Sequence, residues 1–178
     1  MEESTSRWVS DIAIQFAGQV PVKEGCDAIG ECIYIHGSKE YRGNRASIGG
    51  LFTHGESPVE LSAYRRIHEK MGGRVLIAGL GTGISTRIAL ANKEITEIVV
   101  VEESLELIKA VKPTLPENVQ VVNSSPLEFR PGGIFQWAYP DLWTVVCLED
   151  LSEVYEVRDR YSRFSTKRLD FVTELVGV

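Results

Sequence analysis

The sequence predicts an α/β fold in which a mostly parallel sheet carries helices on both faces. Between residues 74 and 122, short apolar runs alternate with amphipathic stretches in the order strand, helix, strand, helix, strand. Such alternation is typical of parallel sheets with crossover helices. The first apolar run passes directly into the glycine-rich segment 79–83, which a helical stretch follows. A strand, a glycine turn and a helix in succession indicate a Rossmann-like architecture.

Length and charge limit the number of domains and the kinds of partner that we expect for this chain. The chain has 178 residues and a formal net charge of −6, from 19 Lys and Arg against 25 Asp and Glu. This length favours one domain with its own core. The acidic balance, without a basic run longer than two residues, argues against nucleic acid or an anionic membrane surface as a partner. It fits a small cationic or zwitterionic ligand better.

Cysteine usage and the N-terminus predict a protein of the reducing cytoplasm. The three cysteines stand at spacings that match no zinc pattern, so no metal site is predicted. The N-terminal residues lack the basic and apolar regions of a signal peptide. No apolar run approaches the roughly 20 residues that a membrane helix needs. We therefore expect neither export nor a membrane span.

Residues 1–55 are predicted to form a small β segment packed on the core at 56–178. Residues 29–35 and 45–53 are β-leaning, and the polar stretch 37–44 between them resembles a connecting loop, so a β-hairpin or a small antiparallel layer is expected. Alternation over 8–20 favours a further strand.

The core begins with a helix. Ser57 supplies an N-cap, Pro58 suits the first helical position and Glu60 completes a capping box, so a helix is expected from there to Gly72 and Gly73. Strands are then predicted over 74–78, 97–101, 119–122, 135–139 and 142–148, and helices over 84–92, 104–111 and 149–163. The tail at 168–178 has room for one further element.

The glycine segment and the second strand predict a ligand site. Gly79, Gly81 and Gly83 follow the pattern G-x-G-x-G and not the G-x-G-x-x-G of dinucleotide-binding loops. This spacing suits a ligand built from a nucleoside and an amino-acid tail. Glu102 ends the second strand about 20 residues after the loop, where a carboxylate can accept hydrogen bonds from ribose hydroxyls. The alternative is a tight βα turn with a solvated glutamate at a helix N-terminus.

The segment 73–122 (GRVLIAGLGTGISTRIALANKEITEIVVVEESLELIKAVKPTLPENVQVV) resembles the core of class I S-adenosylmethionine-dependent methyltransferases, and most closely the spermidine-synthase-like group. The preceding SPVELSAYRRIHEKMGGRVL resembles the leading helix of guanidinoacetate and arginine N-methyltransferases. By this resemblance the three glycines form the loop that binds S-adenosylmethionine. Glu102 binds the adenosyl ribose, its neighbour Glu103 is a further cofactor-binding residue, and Ser124 takes the place of the acid that faces the adenine amino group.

The stretch 135–143 (FQWAYPDLW) resembles the strand of this family that ends in an acid followed by an aromatic residue. The resemblance implies that Asp141 is the catalytic residue, which holds an amine or guanidinium and accepts its proton. Tyr139 and Trp143 are then expected to bind the substrate by stacking on a flat or cationic group. The alternative is that Asp141 is a turn residue after Pro140 and that the aromatic residues belong to the core.

The part of the chain after Trp143 is short for the closing helices and antiparallel hairpin of this family, which predicts a C-terminally abbreviated sheet. Its edge would be covered by the N-terminal β segment or by a second subunit in a homodimer. The expected function is methyl transfer from S-adenosylmethionine to a small-molecule amine or guanidine. The alternatives are a protein that binds this cofactor without transfer activity and a spermidine-synthase-like aminopropyltransferase.

Overall fold

The computed structural model describes residues 29–36, 39–48, 51–55, 58–142 and 151–167. The elements in chain order are β1 (Ile29–His36), β2 (Lys39–Ile48), β3 (Leu51–Gly55), α1 (Pro58–His68), β4 (Gly73–Ala78), α2 (Ile84–Ala91), β5 (Ile95–Glu102), α3 (Leu105–Val111), the 3-10 turn Lys112–Thr114, β6 (Gln120–Asn123), β7 (Trp137–Pro140) and α4 (Leu151–Ser162).

The four later strands form one parallel sheet in the order β6, β5, β4, β7. The chain starts in the middle of this sheet at β4, moves outward through β5 to β6, and then returns to the other side of β4 at β7. The α/β, Rossmann-like fold is therefore confirmed. Because the strand order reverses between β4 and β7, the carboxyl ends of these two strands mark the switch point where α/β sheets bind ligands.

Helices cover both faces of this sheet, as the packing of strand β4 shows. Its side chains alternate between two apolar clusters. Val75 and Ile77 pack with α1, α2 and α3 on one face, whereas Leu76 and Ala78 pack with α4 on the other. A strand that is buried on both faces reads as a continuous apolar run, and this run made β4 predictable from the sequence.

The first three strands form a separate antiparallel sheet in the order β1, β2, β3. This sheet corresponds to the antiparallel layer that was expected as the alternative to a hairpin. The stretch 37–44 was expected to be a connecting loop, and this expectation is wrong for most of it, because β2 begins at Lys39. Strand β2 pairs with both of its neighbours, with a register shift between Ala46 and Ser47. Backbone pairing on two sides outweighs the polar composition of the segment.

The end of the first helix and the start of the strand predicted over 135–139 differ from the structure. Helix α1 begins at Pro58 as predicted but ends at His68, before the expected stop at Gly72 and Gly73. Strand β7 begins only at Trp137. Phe135 instead forms an isolated parallel bridge with Ser165, where the Thr166 amide donates to the Phe135 carbonyl oxygen at 3.0 Å.

Three sequence predictions fall on parts of the chain outside the described ranges. They are the strand over 8–20, most of the strand over 142–148 together with Trp143, and the tail at 168–178. Within the described ranges, no helix is both long enough and apolar enough to cross a membrane. The division at residue 55 and the homodimer stay predictions.

Candidate functional site

The loop between β4 and α2 requires its glycines. Gly79, Gly81 and Gly83 have φ angles of 103°, 50° and 80°, in the left-handed region that residues with a Cβ rarely adopt. All five residues of the loop are buried, and the Gly83 amide donates to the Leu80 carbonyl oxygen at 2.7 Å. The sequence G-x-G-x-G therefore specifies one tightly wound backbone path at the carboxyl end of β4.

The end of β7 lies directly against this loop. The Asp141 amide donates to the Ala78 carbonyl oxygen at 2.6 Å. A Cβ added at Gly79 would overlap the backbone carbonyl oxygen of Asp141. The absence of a side chain at Gly79 thus allows β4 and β7 to meet at the switch point, and it brings Asp141 beside the glycine loop.

Glu102, the last residue of β5, connects the loop to the next helix. Its side chain is buried, with 6% of its surface exposed. One carboxylate oxygen, Oε2, accepts the Leu80 amide at 2.9 Å, and the other, Oε1, accepts the Ser104 amide at 2.7 Å. Each oxygen of an ionised carboxylate has a second lone pair that can accept a further hydrogen bond. The structure therefore joins the predicted acid to the predicted glycine loop.

The remaining predicted cofactor residues lie at the neighbouring strand ends. The Glu103 side chain is exposed. Ser124 is half-buried just after β6, and its amide donates to the Glu102 carbonyl oxygen at 3.1 Å. The sequence analysis did not single out Asn123, which holds the backbone at the end of β5. Its side-chain nitrogen Nδ2 donates to the carbonyl oxygens of Glu102 and Glu103 at 3.1 and 2.9 Å. A polar residue at the carboxyl end of a parallel strand was the signal that could have identified it.

Asp141 is held by Tyr139. The Asp141 side chain has 8% of its surface exposed, and the Tyr139 hydroxyl donates to its Oδ1 at 3.2 Å. Burial, together with the charge and hydrogen bond of Asp141, raises the pKa of the Tyr139 phenol well above its ordinary value, so the hydroxyl remains a donor. Stacking of Tyr139 on a substrate stays a prediction, since the described contacts of its ring lie within the protein interior.

A buried histidine supports the Tyr139 ring. The rings of His68 and Tyr139 meet edge to face, with their centroids 5.4 Å apart. His68 Nε2 lies 2.9 Å from Ser85 Oγ, and its Nδ1 lies 3.3 Å from the sulfur of Met71. His68 therefore belongs to the core. Its place among the apolar residues of helix α1 was the signal for burial.

His68 makes stability depend on pH. Burial lowers the pKa of the His68 imidazole from 6.5 to about 3, so the unfolded chain binds this proton at a higher pH than the folded protein does. The part of the free energy of unfolding that depends on His68 is therefore present in full well above pH 6.5, and it is lost as the pH falls from 6.5 toward 3. Between pH 7 and pH 5 we expect His68 to account for a decrease of about 2 kcal/mol in the free energy of unfolding.

Urea denaturation at pH 7 and pH 5, for the wild type and His68→Gln, measures this decrease. Glutamine keeps a polar group near Ser85 but does not titrate, so the His68→Gln variant should lose about 2 kcal/mol less than the wild type over this interval. Equal losses in the two proteins would contradict the assignment of the pH dependence to His68.

No group of three or more His, Cys, Asp or Glu side chains is placed to hold a metal ion in the part of the chain that the structure describes. The donors and acceptors at the carboxyl edge of the sheet are instead backbone amides, two carboxylates and small polar side chains. They suit an organic ligand with hydroxyl or amino groups better than a bare cation.

No protein-family model and no curated protein matches the chain. Solved structures match over part of it. The 23S rRNA methyltransferase ErmE is 22% identical, with a TM-score of 0.42, over 55% of this chain and 40% of that one. CalS10, an amino pentose methyltransferase from Micromonospora echinaspora solved with S-adenosylmethionine bound, is 18% identical, with a TM-score of 0.45, over 61% and 45%. N-methyltransferase NodS from Bradyrhizobium japonicum WM9 is 16% identical, with a TM-score of 0.47, over 62% and 64%. The chain thus spans less than two thirds of each structure.

Proposed function

We propose that this chain binds S-adenosylmethionine at the carboxyl edge of its parallel sheet and transfers the methyl group to a small molecule. The observation that supports the proposal most directly is the Glu102 carboxylate, fixed by one amide of the glycine loop and one amide at the start of α3. The cofactor is the one named for CalS10. We assign it here on the geometry of the loop and of Glu102.

The geometry of Glu102 suits a ribose. Two carboxylate oxygens, each holding one backbone amide and each with a further lone pair, can accept hydrogen bonds from the two adjacent hydroxyls of a ribose ring. The positive-φ glycine loop lets a ligand approach the backbone closely on the same edge. We propose that Ser124 lies on the adenine side of this site and that Glu103, exposed beside Glu102, contributes to its rim.

Asp141 is our candidate for the acceptor side. When bound, S-adenosylmethionine supplies an electrophilic methyl group, and transfer requires an aligned nucleophile that loses one proton. Asp141 lies beside Gly79, and the Tyr139 hydroxyl fixes the direction of its carboxylate. In the proposal it holds an amine or guanidinium acceptor and accepts the proton. That Tyr139 and Trp143 bind the substrate by stacking stays a prediction of the sequence.

Our proposal for the class of acceptor depends on the net charge of the chain. ErmE is by its name an rRNA methyltransferase, whereas this chain carries a net charge of −6 and is a poor match for a polyanion. We therefore propose a small cationic or amine acceptor. The spermidine-synthase-like relationship, the cytoplasmic location and the homodimer remain predictions of the sequence.

One observation favours a second candidate, a protein that binds the cofactor without transferring its methyl group. The Asp141 side chain is largely buried, and Oδ1 already accepts the Tyr139 hydroxyl. A carboxylate in this position can stabilise the site without reaching an acceptor.

Isothermal titration of the full chain with S-adenosylmethionine, and separately with S-adenosylhomocysteine, tests the cofactor assignment. We expect both ligands to bind and to raise the melting temperature. Absence of heat and of a thermal shift with both ligands, in protein that is folded by circular dichroism, would contradict the proposal.

Transfer is tested with cofactor labelled in its methyl group and a panel of amines and guanidines. Labelled product that disappears in Asp141→Asn supports the proposed transfer. Cofactor binding without product from any acceptor on the panel would favour the second candidate.

A further inference from the structure

Arg87 is buried beneath the glycine loop. It lies in the first half of α2, and only 3% of its surface is exposed. Its guanidinium Nη1 donates to the Thr82 carbonyl oxygen at 2.9 Å, and its Nη2 donates to Thr114 Oγ1. The Thr114 hydroxyl in turn donates to the Val111 carbonyl oxygen at 2.7 Å. One side chain thus links the loop to the end of α3 and to the 3-10 turn that follows it.

These contacts hold a single peptide unit of the loop at both of its ends. The carbonyl oxygen of the peptide between Thr82 and Gly83 accepts from Arg87, and its amide, on Gly83, donates to the Leu80 carbonyl oxygen at 2.7 Å. Glycine accepts several backbone conformations at similar energy, so a loop with three glycines has alternative orientations for its peptides. The charge-assisted hydrogen bond that Arg87 donates to the Thr82 carbonyl oxygen favours one of these peptide orientations.

The contact between the loop and the guanidinium is close. A Cβ added at Gly83 would lie 2.6 Å from a methyl carbon of Val111 and 3.0 Å from Arg87 Nη1. The third glycine therefore rests directly on Arg87 and on the end of α3. The pattern G-x-G-x-G and a buried arginine four residues after its last glycine form one structural unit.

We propose that Arg87 is a positioning residue that fixes the glycine loop in its ligand-binding conformation. Its hydrogen bond holds the Thr82 carbonyl oxygen toward the protein interior. The opposite side of the loop then faces a ligand, and the backbone of the loop is ordered before the ligand binds. Ordering a loop before binding reduces the entropy that binding must overcome. The effect on affinity rests on the proposed function, whereas the effect on the loop itself does not.

Amide hydrogen exchange of the ligand-free protein tests the effect on the loop. Arg87→Met keeps much of the side-chain length but donates no hydrogen bond, and we expect exchange of the Gly83 amide to rise roughly tenfold or more. Exchange of Val100, in the centre of β5, should not change. Arg87→Lys should restore part of the protection, because an ammonium group can still donate to Thr82. Arg66→Met, on the exposed side of α1, is the matched control.

Wild-type exchange at Gly83 in Arg87→Met would overturn the proposal, as would equal acceleration in Arg66→Met. If Arg87→Met does not fold, Thr114→Val replaces it. This change removes the acceptor of Nη2, together with the hydrogen bond that the Thr114 hydroxyl donates to the Val111 carbonyl oxygen, and preserves the shape of the side chain. We expect a smaller acceleration at Gly83 in Thr114→Val, and unchanged exchange in this variant would also overturn the proposal.

Titration with S-adenosylhomocysteine then measures the consequence for binding. We expect Arg87→Met to bind it roughly tenfold to a hundredfold more weakly, and Arg87→Lys to lie between this variant and the wild type. Unchanged affinity together with faster exchange would overturn the role in binding. If the wild type binds neither S-adenosylmethionine nor S-adenosylhomocysteine, the proposed function fails, and the exchange data still decide whether Arg87 fixes the loop.

Discussion

Replacing Glu102 by alanine is expected to weaken the binding of both S-adenosylmethionine and S-adenosylhomocysteine by about 1.5–3 kcal/mol, or roughly tenfold to a hundredfold. Both ligands carry the same ribose, so both should be affected equally. The change also leaves the Leu80 and Ser104 amides without the carboxylate that holds them. Isothermal titration at fixed pH and ionic strength measures the two dissociation constants.

The control for this experiment is Glu106→Ala, which removes an exposed acid from the first turn of α3 without altering the site. Its affinity should equal that of the wild type. Wild-type affinity in Glu102→Ala would contradict the ribose role. A loss for S-adenosylmethionine alone would also contradict it, because that ligand differs from the other by the charged sulfonium and not by the ribose.

The parallel sheet was predictable because its signals are local. Residues 74–78 were expected to be a strand, and β4 spans Gly73–Ala78; residues 84–92 were expected to be a helix, and α2 spans Ile84–Ala91. A strand buried on both faces is a continuous apolar run, and the glycines mark its end. Neither signal depends on which other element packs against it.

Strand β2 was not predictable in this way. Its sequence is polar and contains Gly43, which is typical of a loop. What makes it a strand is backbone pairing with β1 and β3 on its two sides, and this pairing depends on the arrangement of all three segments. Local composition does not encode such a contact.

The contacts of the candidate site also differ in whether the local sequence predicts them. Glu102 could be predicted to approach the loop because neighbouring parallel strands end at one edge of the sheet. Tyr139 and Asp141, two residues apart at the end of β7, could have been paired from the alternation of strand side chains. The contacts of Arg87 with Thr82 and Thr114 depend on how α2 packs against α3. Their only sign in the sequence is an arginine within the apolar helix ISTRIALA.

Replacing Gly79 by alanine is expected to have the largest effect on stability. The new Cβ would overlap the backbone carbonyl oxygen of Asp141, and φ at this position is 103°. A backbone atom cannot rotate away as a flexible side chain can, so the end of β7 must separate from β4. Strain from the left-handed conformation adds to this collision. We expect a loss of about 3 kcal/mol or more in the free energy of unfolding, measured by urea denaturation, and loss of S-adenosylmethionine binding.

Gly132→Ala is the matched control, because a Cβ there meets no atom within 4 Å and its φ lies outside the left-handed region. This control should change stability by no more than about 0.5 kcal/mol. If Gly79→Ala unfolds at the same urea concentration as Gly132→Ala, β7 does not contact the loop as described. Asp141 would then not lie beside the glycine loop, and its proposed role toward the acceptor would fail together with the contact. Gly79→Ala therefore tests the packing of the switch point and the position of the candidate catalytic residue in one measurement.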